Sequence, residues 1–513
     1  MFGTATISWG SSAPAVNAAP PASPRNRVRE VINSVRLKAR YDNALTTDEN
    51  AKQWGFVDFL SAKAANSREI RSILRRRSRY MIQNNPLAAG VIDTLCKDIV
   101  GKGPRLQILF EDPKKNAAIE QAWLRWYRAC QLARRLRVAV AAKFGDGEVF
   151  FVRKTNRNLA DSVKVYHQDL EADQVTTIEP KFQAGYWVDG IELDELGLPV
   201  TYHVLKRHPG DLSSMGLKYG PLDSARVPAR FVLHWFKRYR PGQSRGIPEL
   251  TPSLGLFEAL RRFDKATLTA AEWAAVMSAV LETELAADDD AAAMGMPWET
   301  WEPDAGTVST LPAGYKLKQM QATQPTATHK EFTGTMIGHA ARPVGMPFNV
   351  ATSNSSGYNF SSGRLDHLPY YRMVDIERQD VEEIILDPMA ADWLDEAVSV
   401  PDYFGPEFDG QIPALLEQIP HIWHWPPMDS IDPNKDALAD QQNLANGTEC
   451  RTDICGRNGR EYRQIRRKQA EEAAFDLQLA KELGLPENWA DGTRPNMPTP
   501  IEAPEAAKEA VPA

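Results

Sequence analysis

Between Ser67 and Val100 apolar positions recur at helical spacing. Ser67 stands where it can cap a helix that carries Ile70, Ile73 and Leu74. Asn84-Asn85-Pro86 breaks that helix. A second presents Val91, Ile92, Leu95 and Ile99 until Gly101-Lys102-Gly103-Pro104 stops it. A third covers about 114–131, with Ile119, Trp123, Trp126 and Tyr127 on one face. The period then shortens. GEVFFVRKT, VKVYHQDL and ARFVLHWFKRY read as strands, and WVDGIELDELGLPVTYHVLKR reads as a strand, an acidic Gly-Leu-Pro turn and a returning strand. Residues 67–245 therefore predict an α+β region of helices and antiparallel strands.

Residues 250–283 are Ala-rich, with no proline after Pro252 and no glycine after Gly255. A helix of about thirty residues would reach roughly 45 Å. Residues 284–327 change to loops and short strands, and HKEFTGTMIGHAARPVG resumes a helix. MPFNVATSNSSGYNFSSGRL follows as a Ser/Asn/Gly loop without a core pattern. A long helix then runs from about 366 to 398 through Val374, Val381, Ile384, Ile385, Met389, Trp393 and Leu394. Pro369 is expected to kink or start it, and Pro388 lies inside it. HIWHWPPM is strand-like, and 432–485 is helical again. Upstream, residues 28–65 suggest an amphipathic helix and a short Trp/Phe-rich stretch. Residues 1–27 and 486–513, rich in Pro and Ala, read as disordered ends. No internal repeat is visible.

The 513 residues are 43% hydrophobic and 25% charged, an ordinary globular balance sufficient for several compact regions. A net charge of −7 argues against a chain that coats nucleic acid, so any contact with DNA would be local or weak. Four cysteines in so long a chain make no disulfide framework. Cys450-x4-Cys455 lacks a second pair for zinc, and a reducing cytoplasm is the expected birthplace. No apolar run approaches a membrane-spanning length, and the N-terminus lacks the pattern of a signal peptide.

Gly242-Gln243-Ser244-Arg245-Gly246 fits the G-x-S-x-G nucleophile elbow, which makes Ser244 a candidate catalytic serine. An elbow needs a strand running into the serine and a helix directly after it. Here Lys237–Pro241 separate the strand from the motif, while Pro248 and Pro252 fall in the first turns of the would-be helix. No G-x-x-x-x-G-K-[ST] loop and no H-E-x-x-H pair occurs, so neither nucleotide, cofactor nor metal is expected. His421 and His424, three apart on a strand, fall on opposite faces, which favours packing over ligation. Two basic clusters stand out. One holds Arg75, Arg76, Arg77 and Arg79; the other holds Arg463, Arg466, Arg467 and Lys468. Both are candidates for phosphate or inter-subunit contacts, and neither carries a signature of sequence-specific reading.

The order of segments is more telling than any single motif. RSRYMIQNNPLAAGVIDTLCKDIVGKGPRL resembles the N-terminal signature of portal proteins of lambda-like tailed bacteriophages. RPGQSRGIPELTPSL is similar to that family's Gly-Gln-(Thr/Ser)-Arg-Gly-(Val/Ile)-Pro segment, GYNFSSGR to its Asn-(Tyr/Phe)-Ser-Ser element, and the C-terminal AKELGL to its helical end. The resemblance spans about residues 67–485.

It implies a portal fold and a non-enzymatic ring, normally of twelve subunits, at one capsid vertex of the virion, made in the bacterial cytoplasm. By that mapping residues 28–249 form the N-terminal region and a helix-plus-strand wing. Residues 250–283 and 328–345 are stem helices, and 284–327 are a small α/β clip inserted between them. Residues 346–360 are a tunnel loop, 361–431 a long kinked helix returning to the wing, and 432–485 a helical crown. The implied partners are double-stranded DNA without sequence preference, the terminase large subunit, a major capsid or scaffold protein and a head–tail adaptor, with no membrane. Asn349, Thr352, Ser353, Asn354, Ser355 and Ser356 would face DNA, offering hydrogen bonds without ion pairs. Asp288, Asp289, Asp290, Trp298 and Trp301 would lie on the clip toward terminase or adaptor. The alternatives are a hydrolase built on Ser244 and a DNA-binding adaptor that forms no ring.

Overall fold

The computed structural model describes residue 52 and residues 58–177, 187–211, 223–276, 280–283, 315–318, 329–428 and 433–485. The amphipathic helix expected at the start of 28–65 lies outside this set, as does most of the Trp/Phe-rich stretch that follows it. So do the expected disordered ends and most of the 284–327 insertion, including Asp288, Asp289, Asp290, Trp298 and Trp301. The chain divides into two units, Met1–Ser61 and Ala62–Ala513, and every element below belongs to the second.

Helix α1 (Arg68–Asn84) starts where Ser67 accepts a hydrogen bond from the Ile70 amide. Asn85 both ends α1 and caps α2 (Pro86–Ile99), accepting from the Leu87 and Ala88 amides. Pro86 opens α2 at a position where no amide is needed. Strand β1 (Arg105–Ile108) leads to α3 (Pro113–Ala129), which buries Ile119, Trp123, Trp126 and Tyr127, as the spacing predicts. Helix α4 (Leu132–Gly145) feeds a three-stranded antiparallel sheet of order β3-β2-β8, formed by β2 (Glu148–Thr155), β3 (Val165–Leu170) and β8 (Val232–Phe236). Between β3 and β8 lies a four-stranded antiparallel sheet of β4 (Trp187–Val188), β5 (Ile191–Leu193), β6 (Pro199–Leu205) and β7 (Ser224–Pro228). The class is α+β.

Helix α5 (Leu254–Val276) follows a single 3-10 turn at Thr251–Ser253. The expected helix to residue 283 stops short. Val280–Thr283 is strand β9, paired antiparallel with β10 (Tyr315–Lys318), so the chain changes to strand before the 284–327 insertion and pairs with a strand inside it. Helix α6 (His329–Ala341), a 3-10 turn (Arg342–Val344) and a short helix α7 (Phe348–Thr352) follow.

Helix α8 (Phe360–Val381) begins earlier than Pro369 suggested. Asn359 and Ser362 form a reciprocal cap that fixes its start, and Pro369 is carried inside it. At Glu382–Leu386 the helix widens into a π turn, where the Asp387 amide donates to the Glu382 carbonyl five residues back. It continues as α9 (Asp387–Ala397) with Pro388 in its first turn. The irregularity thus sits before Pro388 rather than at Pro369. Both ends of the π turn are held by the segment containing β11 (His421–His424), which pairs antiparallel with β1. Trp425 Nε1 donates to Glu382, Trp423 Nε1 donates to Asp387 at 2.7 Å, and His421 Nε2 lies 3.3 Å from Asp387. The Asp387 hydrogen bond raises the His421 pKa against the opposing effect of burial. His424 points the other way, to Gln107, as the alternation of a strand requires. Helices α10 (Pro433–Asn446), α11 (Arg451–Arg457) and α12 (Tyr462–Leu483) complete the described chain.

The main core gathers α2, α3, α4, β2, α8 and α9. At its centre Trp123 meets Trp126, Trp393 and Trp423 with ring centroids 5.0–5.6 Å apart. Among the described residues no helix is long and apolar enough to cross a membrane.

Candidate functional site

The arginines of α1 do not form one solvated patch. Arg71, Arg75 and Arg79 fall four residues apart on one helical face, and that face is turned inward while Ile70 and Ile73 are exposed. Arg71 pairs with Asp189, Arg75 with Glu148 and Asp173, and Arg79 with Asp146, Asp173 and Glu171. Arg75 and Arg79 are therefore corrected from surface contacts to internal ion pairs, because the strands and turns beside α1 present a matching set of carboxylates. Arg76 and Arg77 remain on the exposed face.

These pairs surround Glu148 and Arg245, both fully buried. Arg245 grips Glu148 through Nε to Oε2 at 2.9 Å and Nη2 to Oε1 at 2.7 Å. It also donates to the carbonyls of Val175, Asp189 and Ala172. Glu148 accepts further bonds from Arg75, from His234 Nε2 and from the Gly246 amide. Burial opposes ionisation of Glu148, but Arg245, His234 and Arg75 together hold its pKa well below the usual carboxylate range. Arg71, desolvated and repelled by Arg245, is pushed down to about 10. Four guanidiniums (Arg71, Arg75, Arg79, Arg245) thus face Asp146, Glu148, Asp173 and Asp189, a set in which the geometry of each pair depends on the others.

This arrangement gives the GQSRG segment its reason. Arg245 is the ion-pair hub. Gly246 lies so close to Gly147 that an added Cβ would stand 1.9 Å from the Gly147 carbonyl oxygen. Gln243 closes the turn, accepting from the Tyr239 amide and donating to the Arg245 carbonyl. Gly242 has φ +76°, open to glycine. Ser244 is half-buried beside Phe236 and Leu196. Among the described residues it makes no hydrogen bond to a histidine, and the next helix starts ten residues later, so the elbow geometry is not met. Glu171, Asp173 and His208 are the only described residues that bring three metal-type ligand atoms together. Arg75 and Arg79 already pair with those carboxylates.

Immediately after the motif the Glu249 amide donates to the Phe144 carbonyl. The Lys143 Nζ, buried among Phe144 and Trp235, lies 2.7 Å from Glu249 and 2.6 Å from Glu377 of α8. Lys237 holds the other Glu249 oxygen at 2.8 Å. Burial raises the pKa of Glu377 against the pull of Lys143. The head of α5 is thereby tied to α4 and α8, and the Ser253 hydroxyl donates to the Ala340 carbonyl, joining α5 to α6 at their shared base. Farther out Phe263 stacks on His329 and meets Phe332 edge-on, but Leu268, Trp273 and Phe332 are half or more exposed.

From 343 to 363 no residue carries a charge at neutral pH. Gly345, at φ +69°, turns the chain out of α6, and α7 packs back. Asn349 is buried and its amide meets His367 Nε2 at 3.0 Å, which removes it from the exposed set expected from sequence. Its side chain is needed to seat α7 on α8. The Thr352 hydroxyl turns back to the Phe348 carbonyl. Ser353, Asn354, Ser355, Ser356 and Gly357 are exposed, in a tight turn where Ser353 is left-handed and the Ser356 amide donates to Asn354.

In the C-terminal cluster Arg463 and Lys468 are exposed without an ion pair among the described residues. Arg467 pairs only with Glu471 one turn on, and Arg466 bonds Gln469. Sequence reasoning missed the acidic partners Asp146, Glu148, Asp173 and Asp189 and the Lys143 tie. The four-residue spacing of Arg71, Arg75 and Arg79 was the available signal.

Residues 51–378 match the family described as phage portal protein, lambda family. A probable portal protein of Halomonas phage phiHAP-1 (isolate -/Gulf of Mexico/-/2001) is 23% identical over 513 residues, covering 95% of this chain and 94% of that protein. Similar solved structures include the neck of a native GTA particle computed with C12 symmetry, at 12% identity, 75% of this chain, 92% of the other and a TM-score of 0.39. The neck of an empty GTA particle computed with C6 symmetry has 12% identity, 76% and 93% coverage and a TM-score of 0.41.

Proposed function

The chain belongs to the lambda family of phage portal proteins, and from that premise we propose that it assembles into a closed ring of twelve copies at one capsid vertex, through which double-stranded DNA is packaged and ejected. In this reading residues 28–249 form the N-terminal region and wing, and 361–431 the long kinked helix that returns to it. Helices α5 and α6 are the stem, 284–327 the clip, 346–360 the tunnel loop and 432–485 the crown. A terminase large subunit docks on the clip, with Asp288, Asp289, Asp290, Trp298 and Trp301 on that side. A head–tail adaptor and a capsid or scaffold protein are the remaining partners. The ring serves as a structural part of the virion, and no catalytic role is proposed for Ser244.

The observation that carries the channel assignment is the exposed turn Ser353–Gly357 at the middle of an uncharged stretch. A conduit that moves DNA both ways must not hold phosphates. Each lysine or arginine on its lining would add a counterion-release contribution to binding, whereas hydroxyls and amides make bonds that break as the duplex slides. Arg463, Arg466, Arg467 and Lys468 lie elsewhere in the chain, in the proposed crown, and are candidates for phosphate or neighbour contacts there.

Electron micrographs of the purified full chain should show closed rings, and a protein that stays monomeric at every concentration overturns the proposal. With Ser353, Ser355 and Ser356 replaced by lysine, rings should still form while DNA packaging slows or stalls, increasingly so at low salt. Normal filling of heads by that variant would reject the loop assignment.

A further inference from the structure

We propose that the β5–β6 hairpin tip of one copy docks into the groove between α1 and α5 of the next copy. The inference rests on the ring reading and specifies one of its contacts.

The tip, Asp194–Pro199, carries two leucines that border the cavity lined by Phe236 and Ser244 yet stay largely exposed: Leu196 is 87% exposed and Leu198 58%. Asp194 folds the turn by accepting from the Leu196 and Leu198 amides, so the leucines are held outward rather than left to collapse. Glu195 stands beside them, exposed. Isolated apolar residues on a surface need no explanation, but two leucines displayed on a rigid, acidic turn do.

A groove of about 540 Å³ has the complementary character. Its lining comes from Ile73, Tyr80 and Met81 of α1 and Leu254 and Glu258 of α5, with Arg76 and Arg77 also on it; Glu258 is paired with Arg261 at 3.0 Å, which leaves the two α1 arginines as its unpaired charges among the described residues. Arg77 is exposed and has no ion pair among the described residues, while Arg76 bonds only the Ser72 carbonyl. An acidic, leucine-bearing tip is thus complementary in polarity and charge to a recess with an apolar lining and two unpaired arginines.

The two cannot meet within one copy. Arg71, Arg75 and Arg79 of α1 point toward the strands and turns that carry Asp189, Asp173 and Asp146. Ile73, Arg77 and Tyr80 lie on the opposite face of the same helix. The tip belongs to the sheet side and the groove to the other, so their union is head-to-tail, the kind of contact that closes a ring when the rotation between copies closes.

The test uses full-length protein. Glu195→Lys and Arg77→Glu, both at exposed positions, should each raise the concentration needed for rings on the order of tenfold. An equimolar mixture should recover ring formation, because each variant then supplies what the other lacks. Leu196→Cys mixed with Ile73→Cys should give an inter-copy disulfide that neither gives alone. Circular dichroism matching the wild type shows that the variants fold. Should either fail to fold, the cysteine pair decides alone. Wild-type rings with no effect of either reversal, an effect of Arg77→Glu alone, or rings without the cross-link each overturn the inference and leave the ring reading intact. Absence of rings from the wild type overturns the ring reading itself.

Discussion

Gly246 shows how a short motif can mislead by its middle residue. Gly246→Ala would drive a methyl into the Gly147 carbonyl, backbone against backbone, and force apart the strand start and the turn that share Glu148. It is expected to lose at least ~3 kcal/mol, measured as a fall in the denaturation midpoint. Ser244→Ala, by contrast, should change stability by less than ~0.5 kcal/mol and leave ring formation and DNA packaging unaltered. A second residue-scale prediction concerns Glu120. Burial raises its pKa to about 7, although its carboxylate accepts the Ile108 amide. A raised carboxyl pKa means stability that is complete below the unfolded value and is lost as pH rises toward 7. Glu120→Gln keeps an acceptor for the amide without the charge. It should therefore melt higher than wild type at pH 8, by on the order of 1 kcal/mol after discounting for partial solvation, and the difference should vanish near pH 4.

Among elements, the informative object is the Lys143 tie, which fastens the head of α5 to α4 and α8. Lys143→Met preserves volume but leaves the Glu377 carboxylate buried without its cation. The expected loss is ~3–5 kcal/mol at neutral pH, shrinking toward pH 4 as Glu377, whose pKa burial already raises, takes up a proton. Thermal unfolding across that pH range measures it. Helices with apolar stripes were legible from spacing alone: Ile119, Trp123, Trp126 and Tyr127 are buried where the pattern put them. The inward face of α1 was not. Its buried side is made of arginines, and hydrophobic periodicity cannot see a face that is buried by pairing charges from residues about a hundred positions away. The end of α5 was also misread, since Ala-rich composition favours helix past Val276 while pairing with Tyr315–Lys318 favours strand.

For the molecule as a whole, segment order carried the family and the α+β class. The exposed turn at 353–357 was legible as a loop, but the short helix α7 before it and the burial of Asn349 there were not, because a lone amide seated against His367 leaves no pattern. The π turn at Glu382–Leu386 was equally silent in the sequence, yet it governs everything after it. Each residue of a regular helix rotates the next by about 100°, so the additional residue in this turn resets the angular phase of α9 relative to α8. Upstream, Tyr370, Val374, Glu377, Arg378 and Val381 face inward; downstream, Ile385, Leu386, Met389, Ala390, Trp393, Leu394 and Ala397 are all buried. With that phase Trp393 meets Trp123 edge-on at 5.2 Å between ring centroids. Residue count is a constraint here beside residue identity: a one-residue deletion in the π turn would rotate α9 by about 100° and turn the aromatic centre of the core toward solvent.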